Sequence, residues 1–259
     1  MSNFDLERDH SAEQALAGQI GGSRAWLVRC FQGVDSTMNA ARTLICEVPR
    51  GAAGLLLAKT QHAGRGRQGR SWEQPHSGLY ATFIFPVTQV ASHFPSFSLV
   101  VALTVAEVLQ QFGCNVLLKW PNDLHSSSAK KLGGILLEFC REGDRNTLLV
   151  GIGLNLSGAP AAVPNAGSLR EECGVELSAL SVASALCPAL YNSLDMFLQE
   201  GFSAFRAKWL SYSYPLGEQH AVHVGQDLVR GVYRGITQAG MLELEVNGAI
   251  REFASAEIV

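Results

Sequence analysis

KTQHAGRGRQGRSW, residues 59–72, decides which fold the chain can adopt. Gly64, Gly66 and Gly69 satisfy G-x-G-x-x-G, the fingerprint that opens the first helix of a doubly wound dinucleotide fold. That reading requires a helix directly afterwards and an acid about 20 residues on. Pro75 and Gly78 break such a helix, and no acid falls between Glu73 and Glu107. No Gly-Lys dipeptide exists, so a phosphate-binding P-loop is absent as well. What remains is a loop with four cations, Lys59, Arg65, Arg67 and Arg70, and no acid. Glycines let the backbone bend close to a ligand, and arginine forks bind phosphate or carboxylate oxygens in pairs. The segment reads as a mobile loop that grips a polyanion. Its alternatives are a plain solvated loop, or an Arg-Gly-Arg arm lying in a DNA minor groove.

Outward from this loop, apolar runs at 55–60 and 79–87 predict strands on either side. A strand at 24–32 precedes Asp35-Ser36-Thr37, which stands before Met38, Ala41, Leu44, Ile45 and Val48 at helical spacing. An apolar helix is expected at 98–112, and strands at 116–120, 131–139 and 147–156. Helices follow from Ser178, interrupted at Pro188 and closed near Gly201, and at 202–212. Strands and helices mix without strict alternation, so the class is α+β. Past Pro215 the texture changes to short strands at 219–224, 228–237, 241–246 and 249–254, with an Asn247-Gly248 hairpin turn. Three segments result: a polar lead-in with one helical turn or two (1–23), a main domain (24–215) and a small β-barrel (216–259).

The chain has 259 residues, 47% hydrophobic and 17% charged, which excludes disorder. Its net charge of −3 excludes coating nucleic acid by bulk charge. Cys30, Cys46, Cys114, Cys140, Cys173 and Cys187 form no C-x-x-C, so their spread suits reduced thiols in a cytosol. The polar, acidic start is no signal peptide. The longest apolar run, 99–109, is broken by Thr104 and Glu107, far short of the ~20 residues of a membrane span. A cytoplasmic protein is expected.

Four further motifs carry chemistry. In Lys119-Trp120-Pro121-Asn122-Asp123 a strand delivers Asn122 and Asp123 to its carboxyl end, where Asp123 suits Mg²⁺ beside a phosphate and Trp120 suits stacking on a base. The bland alternative is a turn with a core tryptophan. In Lys130-Lys131-Leu132-Gly133-Gly134-Ile135-Leu136 only one of the two lysines can face inward, and the glycines imply close approach. Gly151-Ile152-Gly153-Leu154-Asn155 repeats that signal and aims Asn155 at a ligand or a turn. Asp35-Ser36-Thr37 offers free amides and hydroxyls at a helix N-terminus. His220 and His223 face opposite sides of a strand and make a poor metal pair.

In this order, over residues 24–259, these motifs resemble the biotin protein ligases. The resemblance implies a catalytic core similar to class II aminoacyl-tRNA synthetases, followed by an SH3-like barrel. It implies an enzyme, a biotin–[biotin carboxyl-carrier protein] ligase. Such an enzyme activates biotin with ATP as biotinyl-5′-AMP and transfers it to a lysine of a carboxylase's carrier domain. Arg67 and Lys131 are implied as catalytic. Ser36, Thr37, Met38, Gln61, Arg65, Gly66, Arg67 and Lys131 are implied around biotin or its adenylate, and Arg70, Trp120, Asn122 and Asn155 around the nucleotide. Asp123 is the metal candidate, and ATP, Mg²⁺ and biotin are the implied small molecules. The implied partner is a biotin carboxyl carrier protein, with a homodimer admissible and neither membrane nor DNA expected. The 34 residues before Asp35 are too few for a winged DNA-binding domain, so a ligase without operator binding is expected. The pattern departs from the family at Met38, where Asp-Ser-Thr-Asn is usual. A lipoate- or octanoyl-transferring relative of the same fold, and a nucleic-acid-binding module, stay open as alternatives.

Overall fold

A computed structural model of the chain describes residues 7–22, 24–73, 77–89, 92, 94, 96–225, 227–254 and 257–258. Residues 1–6, part of the expected lead-in, and the helix-breaking Pro75 lie outside them. The main body is one seven-stranded sheet in the order β1-β2-β3-β7-β6-β5-β4. β1 (Trp26–Val34) and β2 (Ala53–Gln61) are parallel, joined through α2 (Thr37–Leu44). The other neighbours are antiparallel: β3 (Gly78–Val87), β7 (Arg145–Asn155), β6 (Lys131–Glu142), β5 (Asp123–His125) and β4 (Leu117–Lys119). The mixed sheet agrees with the α+β expectation.

The strands read as nearly continuous apolar runs because both faces are covered. Side chains alternate between two cores. Leu55, Leu57, Phe83, Phe85, Val150 and Ile152 face one core. That side holds α3 (Phe97–Gln111), α5 (Ala179–Glu200) and α6 (Ser203–Tyr212). Leu56, Ala58, Ile84 and Leu149 face the other, which is closed by Met38, Ala41 and Leu44 of α2. The site lies on this second face, beside α2.

Several expectations need correction. The lead-in folds as α1 (His10–Gln19), ten residues long. Asp9 caps it through the Ala12 amide at 3.0 Å, and Glu13 binds Arg8 and the Cys30 amide of edge strand β1. Pro188 does not interrupt α5. Val182, Ala183 and Leu186 before it and Leu190, Leu194 and Phe197 after it bury one continuous face, and that packing outweighs the roughly 3 kcal/mol a helix-interior proline costs. Cys114 and Cys173 form a disulfide, against the expectation of six reduced thiols. The chain folds back to bring their Cα atoms within 5.3 Å across 59 residues of sequence, a proximity no sequence spacing reveals. Cys173 ends a short helix, α4 (Leu169–Cys173), which periodicity missed.

The C-terminal strands β8 (Gln219–Val224), β9 (Asp227–Ile236), β10 (Leu242–Val246), β11 (Ala249–Phe253) and β12 (Glu257–Ile258) form a second, antiparallel sheet in the order β11-β10-β9-β8-β12. Asn247 and Gly248 turn the β10–β11 hairpin with φ of 53° and 78°, the paired positive values of a type I′ turn. Val222, Tyr233, Leu242 and Leu244 share the core of the main body. The Trp120 indole N–H donates to the Gly240 carbonyl at 3.0 Å and ties the two sheets together.

Candidate active site

A cleft of about 630 Å³ opens on the α2 side of the main sheet and reaches the C-terminal sheet at His220 and Ile258. That volume lies within the usual range of small-molecule sites. Its floor is glycine. Gly134, Gly151 and Gly153 line it from neighbouring strands β6 and β7, with Gly134 opposite Gly153 and Gly151 opposite Leu136. A Cβ on Gly153 would stand 2.7 Å from the Trp72 ring, and one on Gly151 would stand 2.8 Å from Met38 Sδ. The close approach inferred from these glycines is therefore made by the protein's own Trp72 and Met38, which pave the floor.

One end of the cleft is the N-terminus of α2. Ser36 is its N-cap residue, yet its hydroxyl caps nothing, and Ser36 Oγ is buried without a partner among the described residues. The Thr37 amide and hydroxyl both donate to Gln61 Oε1, at 2.8 and 3.1 Å. This joins the start of α2 to the end of β2. The end therefore offers an unused hydroxyl beside an oriented amide.

The Gly/Arg segment lines the cleft as a narrow hairpin. Gly66 N–H donates to the Arg70 carbonyl and Trp72 N–H to the Gly64 carbonyl, each at 2.8 Å. Gly64 is required by close approach, since its Cβ would meet the Trp72 carbonyl at 2.7 Å. Arg65 Nη2 lies 2.7 Å from Glu138 Oε1, and its Nη1 donates to Asn39 Oδ1 at 3.0 Å. Arg67 Nη1 donates to Asn122 Oδ1 at 3.0 Å. Both arginines of Arg-Gly-Arg are thus engaged by side chains of the main body. Arg70 and Gly66 also line the cleft.

Lys131, not Lys130, faces inward. Its ammonium lies 2.7 Å from Asp123 Oδ2 and 5.9 Å from the centre of the Trp72 ring. Asp123 is thus the counter-ion of Lys131 through Oδ2. No group of three or more His, Cys, Asp or Glu that could hold a metal occurs among the described residues. A nucleotide-borne Mg²⁺ needs only one or two carboxylates beside the phosphates, and Asp123 is the one carboxylate among the described lining residues that would serve it.

Two nucleotide candidates sit differently from expectation. Trp120 lines the cleft, but only 4% of it is exposed and its N–H is bonded to Gly240, so it is a strut between the sheets. Asn155 is not on the cleft wall. Its amide donates to the Gly167 and Lys131 carbonyls at 2.9 and 3.3 Å, pinning the end of β7 to the loop before α4. Asn122 does line the cleft, held by its Nδ2 on the Ile135 carbonyl at 2.7 Å.

Sequence reasoning missed Trp72, Asn39, Glu138, His125 and Tyr214, and dismissed His220 along with His223. The floor glycines signalled Trp72, but nothing in one sequence tells which side chain fills such a gap. His125 Nδ1 lies 3.0 Å from the Tyr214 hydroxyl, and its Nε2 is buried without a partner among the described residues. Burial pushes the His125 imidazole down to about 4 and lowers His220 as well, so both are neutral near pH 7.

The family model described as biotin/lipoate A/B protein ligase matches residues 30–155. The chain is 33% identical over 254 residues to the bifunctional ligase/repressor BirA of Escherichia coli, covering 96% of this chain and 77% of that protein. It is 32% identical to the biotin–[acetyl-CoA-carboxylase] ligase of Paracoccus denitrificans, covering 86% of this chain and 96% of that one. Among solved structures it resembles the biotin protein ligase from Aquifex aeolicus in complex with biotin and ATP. There the TM-score is 0.73 at 28% identity, over 90% of this chain and 97% of the other.

Proposed function

The chain belongs to the biotin protein ligase family, and from that premise we propose that its cleft activates biotin with ATP and passes it to a lysine of a biotin carboxyl carrier domain. In the first half-reaction a biotin carboxylate oxygen attacks the α-phosphorus of ATP, and pyrophosphate leaves. In the second, a neutral lysine amine attacks the acyl carbon of biotinyl-5′-AMP, and AMP leaves with the electron pair of the broken C–O bond. Neither step needs a protein nucleophile. Both need charge stabilised on phosphate oxygens and water kept away from the anhydride.

The observation that carries this reading is a cationic cleft with an uncommitted hydroxyl at one end. Arg65, Arg67 and Lys131 converge over the glycine floor, where they suit the phosphate and the anhydride oxygens. Ser36 Oγ, without a protein partner, suits a polar ring atom of the vitamin, with Thr37, Gln61 and Met38 around it. Asn122 and Arg70 fall to the nucleotide. Mg²⁺ brought by the nucleotide would neutralise phosphate charge, with Asp123 beside Lys131 the carboxylate that would hold it, and no step here runs through it. The C-terminal antiparallel sheet fits an SH3-like barrel and the main sheet a core similar to class II aminoacyl-tRNA synthetases. No helix among the described residues is long and apolar enough to cross a membrane. The outer edge of β6 beyond Gly134 has no strand beside it among the described pairings. It offers backbone groups to a strand of the carrier or of a second copy.

The test is ATP–pyrophosphate exchange with biotin, lipoate and duplex DNA as separate additions. Exchange driven by biotin alone supports the reading. Exchange driven by lipoate alone moves the protein to the other branch of its family, and DNA binding without exchange removes the enzyme assignment.

A further inference from the structure

Among the described residues, the Gly/Arg hairpin is fastened through both Arg67 and Arg65. Arg67 donates to Asn122 at 3.0 Å, and Asn122 is itself held by both backbone groups of Ile135, at 2.7 and 2.9 Å. Arg65 meets Glu138 at 2.7 Å and Asn39 at 3.0 Å. Glu138 was not a site candidate. It stands on β6 on the same face as Gly134 and Leu136, two residues beyond the cleft wall, since side chains alternate along a strand. Only 14% of its side chain is exposed, and it also accepts Arg42 of α2 at 2.7 Å. Asn39 in turn donates to Asp35 at 2.7 Å, and the Asp35 carbonyl accepts the Ala63 amide at the root of the hairpin, also at 2.7 Å.

We propose that Glu138 is a positioning residue: with Asn39 it anchors Arg65, and this second anchor keeps the hairpin in the cleft wall and so holds the acyl-adenylate in place. The inference deepens the ligase reading and rests on it. The physical ground is the arrangement of charge. A guanidinium beside a carboxylate whose side chain is only 14% exposed is a charge-assisted contact, shorter and stronger than a neutral one. Sharing that carboxylate with Arg42 fixes it in position without leaving a buried negative charge unmatched. Glu138 touches no reacting atom in this scheme. It acts through Arg65.

The test uses the full chain, wild type against Glu138→Gln, with Glu138→Asp as a second variant that keeps the charge for Arg42 but shortens the reach to Arg65. The first readout needs no ligand: hydrogen exchange of the Gly66 and Trp72 amides. We expect both variants to exchange faster there than wild type, while amides of β3 and β7 are unchanged. The second is the ratio of biotin appearing on a bystander protein to biotin on the carrier domain, which should rise about tenfold, equivalent to ~1.4 kcal/mol of lost retention. Pyrophosphate exchange should stay within a few-fold of wild type. Unchanged hairpin exchange, or an unchanged bystander ratio in a variant that still forms adenylate, overturns the anchor. Absence of biotin-dependent exchange in the wild type overturns the ligase reading instead, and the amide measurement then judges the anchor alone.

Discussion

Replacing Gly153 by alanine probes the floor of the cleft with one methyl group. Gly153 has no positive φ, so the backbone accepts alanine without strain and the effect is purely one of space. The new Cβ would lie 2.7 Å from Trp72 Cε2 and 2.8 Å from Cζ2. An ordinary contact begins near 3.4 Å, so the indole must retreat by about 0.7 Å. Gly153 lies near the end of β7 but is paired on both sides, to Tyr80 and to Gly134, and cannot retreat itself. Trp72 closes the hairpin through its amide on Gly64, so moving the ring moves the base of the loop that carries Arg65 and Arg67. Overpacking of this kind costs about 1–3 kcal/mol, or roughly 2–12 °C in Tm for a chain of this size. A displacement near 1 Å in a positioning group can lower rates by up to about 100-fold, so kcat/KM for biotin should fall by about 10- to 100-fold. Thermal melting and pyrophosphate exchange measure the two effects. Gly153→Ala combined with Trp72→Leu should recover part of the melting temperature, because the shorter side chain leaves the methyl free. A single variant with wild-type Tm and wild-type exchange would refute the argument that this glycine exists to seat the indole.

Arg67→Gly removes the anchor on Asn122, and biotin labelling of bystander proteins should rise; no rise in off-target labelling counts against the loop as a retaining element. Ser36→Ala deletes a hydroxyl with no protein partner, so Tm should stay put while KM for biotin rises by about 2- to 12-fold, the worth of one neutral hydrogen bond; equal losses of stability and affinity would contradict this. Burial lowers the folded-state value of His125 from 6.5 to about 4. The unfolded chain therefore takes up the proton first, and the stability this residue contributes is present above about pH 6.5 and lost as pH falls toward 4, by at most about 3 kcal/mol. His125→Phe should flatten the fall of Tm over that window, and an unchanged slope would show that other groups cause it.

How much could be read from the chain follows from the range of each signal. Both sheets were legible as strands because alternating or continuous apolar runs are local, and the Asn247-Gly248 turn was legible because few residues accept two positive φ values. The loop at 59–72 was legible as anion-gripping because its charges are consecutive. Its conformation was not: a hairpin fastened at Glu138 and Asn122 depends on residues 73 and 55 positions away. Sequence separation also hid Asn155, whose place two residues after Gly153 suggests a ligand but whose amide fastens a loop, and hid the Cys114–Cys173 bond. Pro188 misled because the local penalty is real and the burial that overrides it is tertiary. β5 was missed because three residues carry no periodicity.

The paired cations raise the question of how residues that already have partners can hold a ligand. Arg65, Arg67, Arg70, Lys119 and Lys131 line one cleft. Like charges about 4 Å apart repel by ~4 kcal/mol at the effective dielectric of a protein surface, so an unbuffered cluster would splay when empty. Asp123 on Lys131 and Glu138 on Arg65 oppose that repulsion at rest. They need not be displaced by the ligand. An ammonium has three N–H donors and Lys131 places one on Asp123; a guanidinium has five and Arg65 uses its two terminal nitrogens toward Glu138 and Asn39. Donors remain for phosphate oxygens while the acids stay bonded. The carboxylates therefore serve as part of the grip, fixing the cations before ligand arrives so that little reorganisation is left for the moment charge develops on the phosphate.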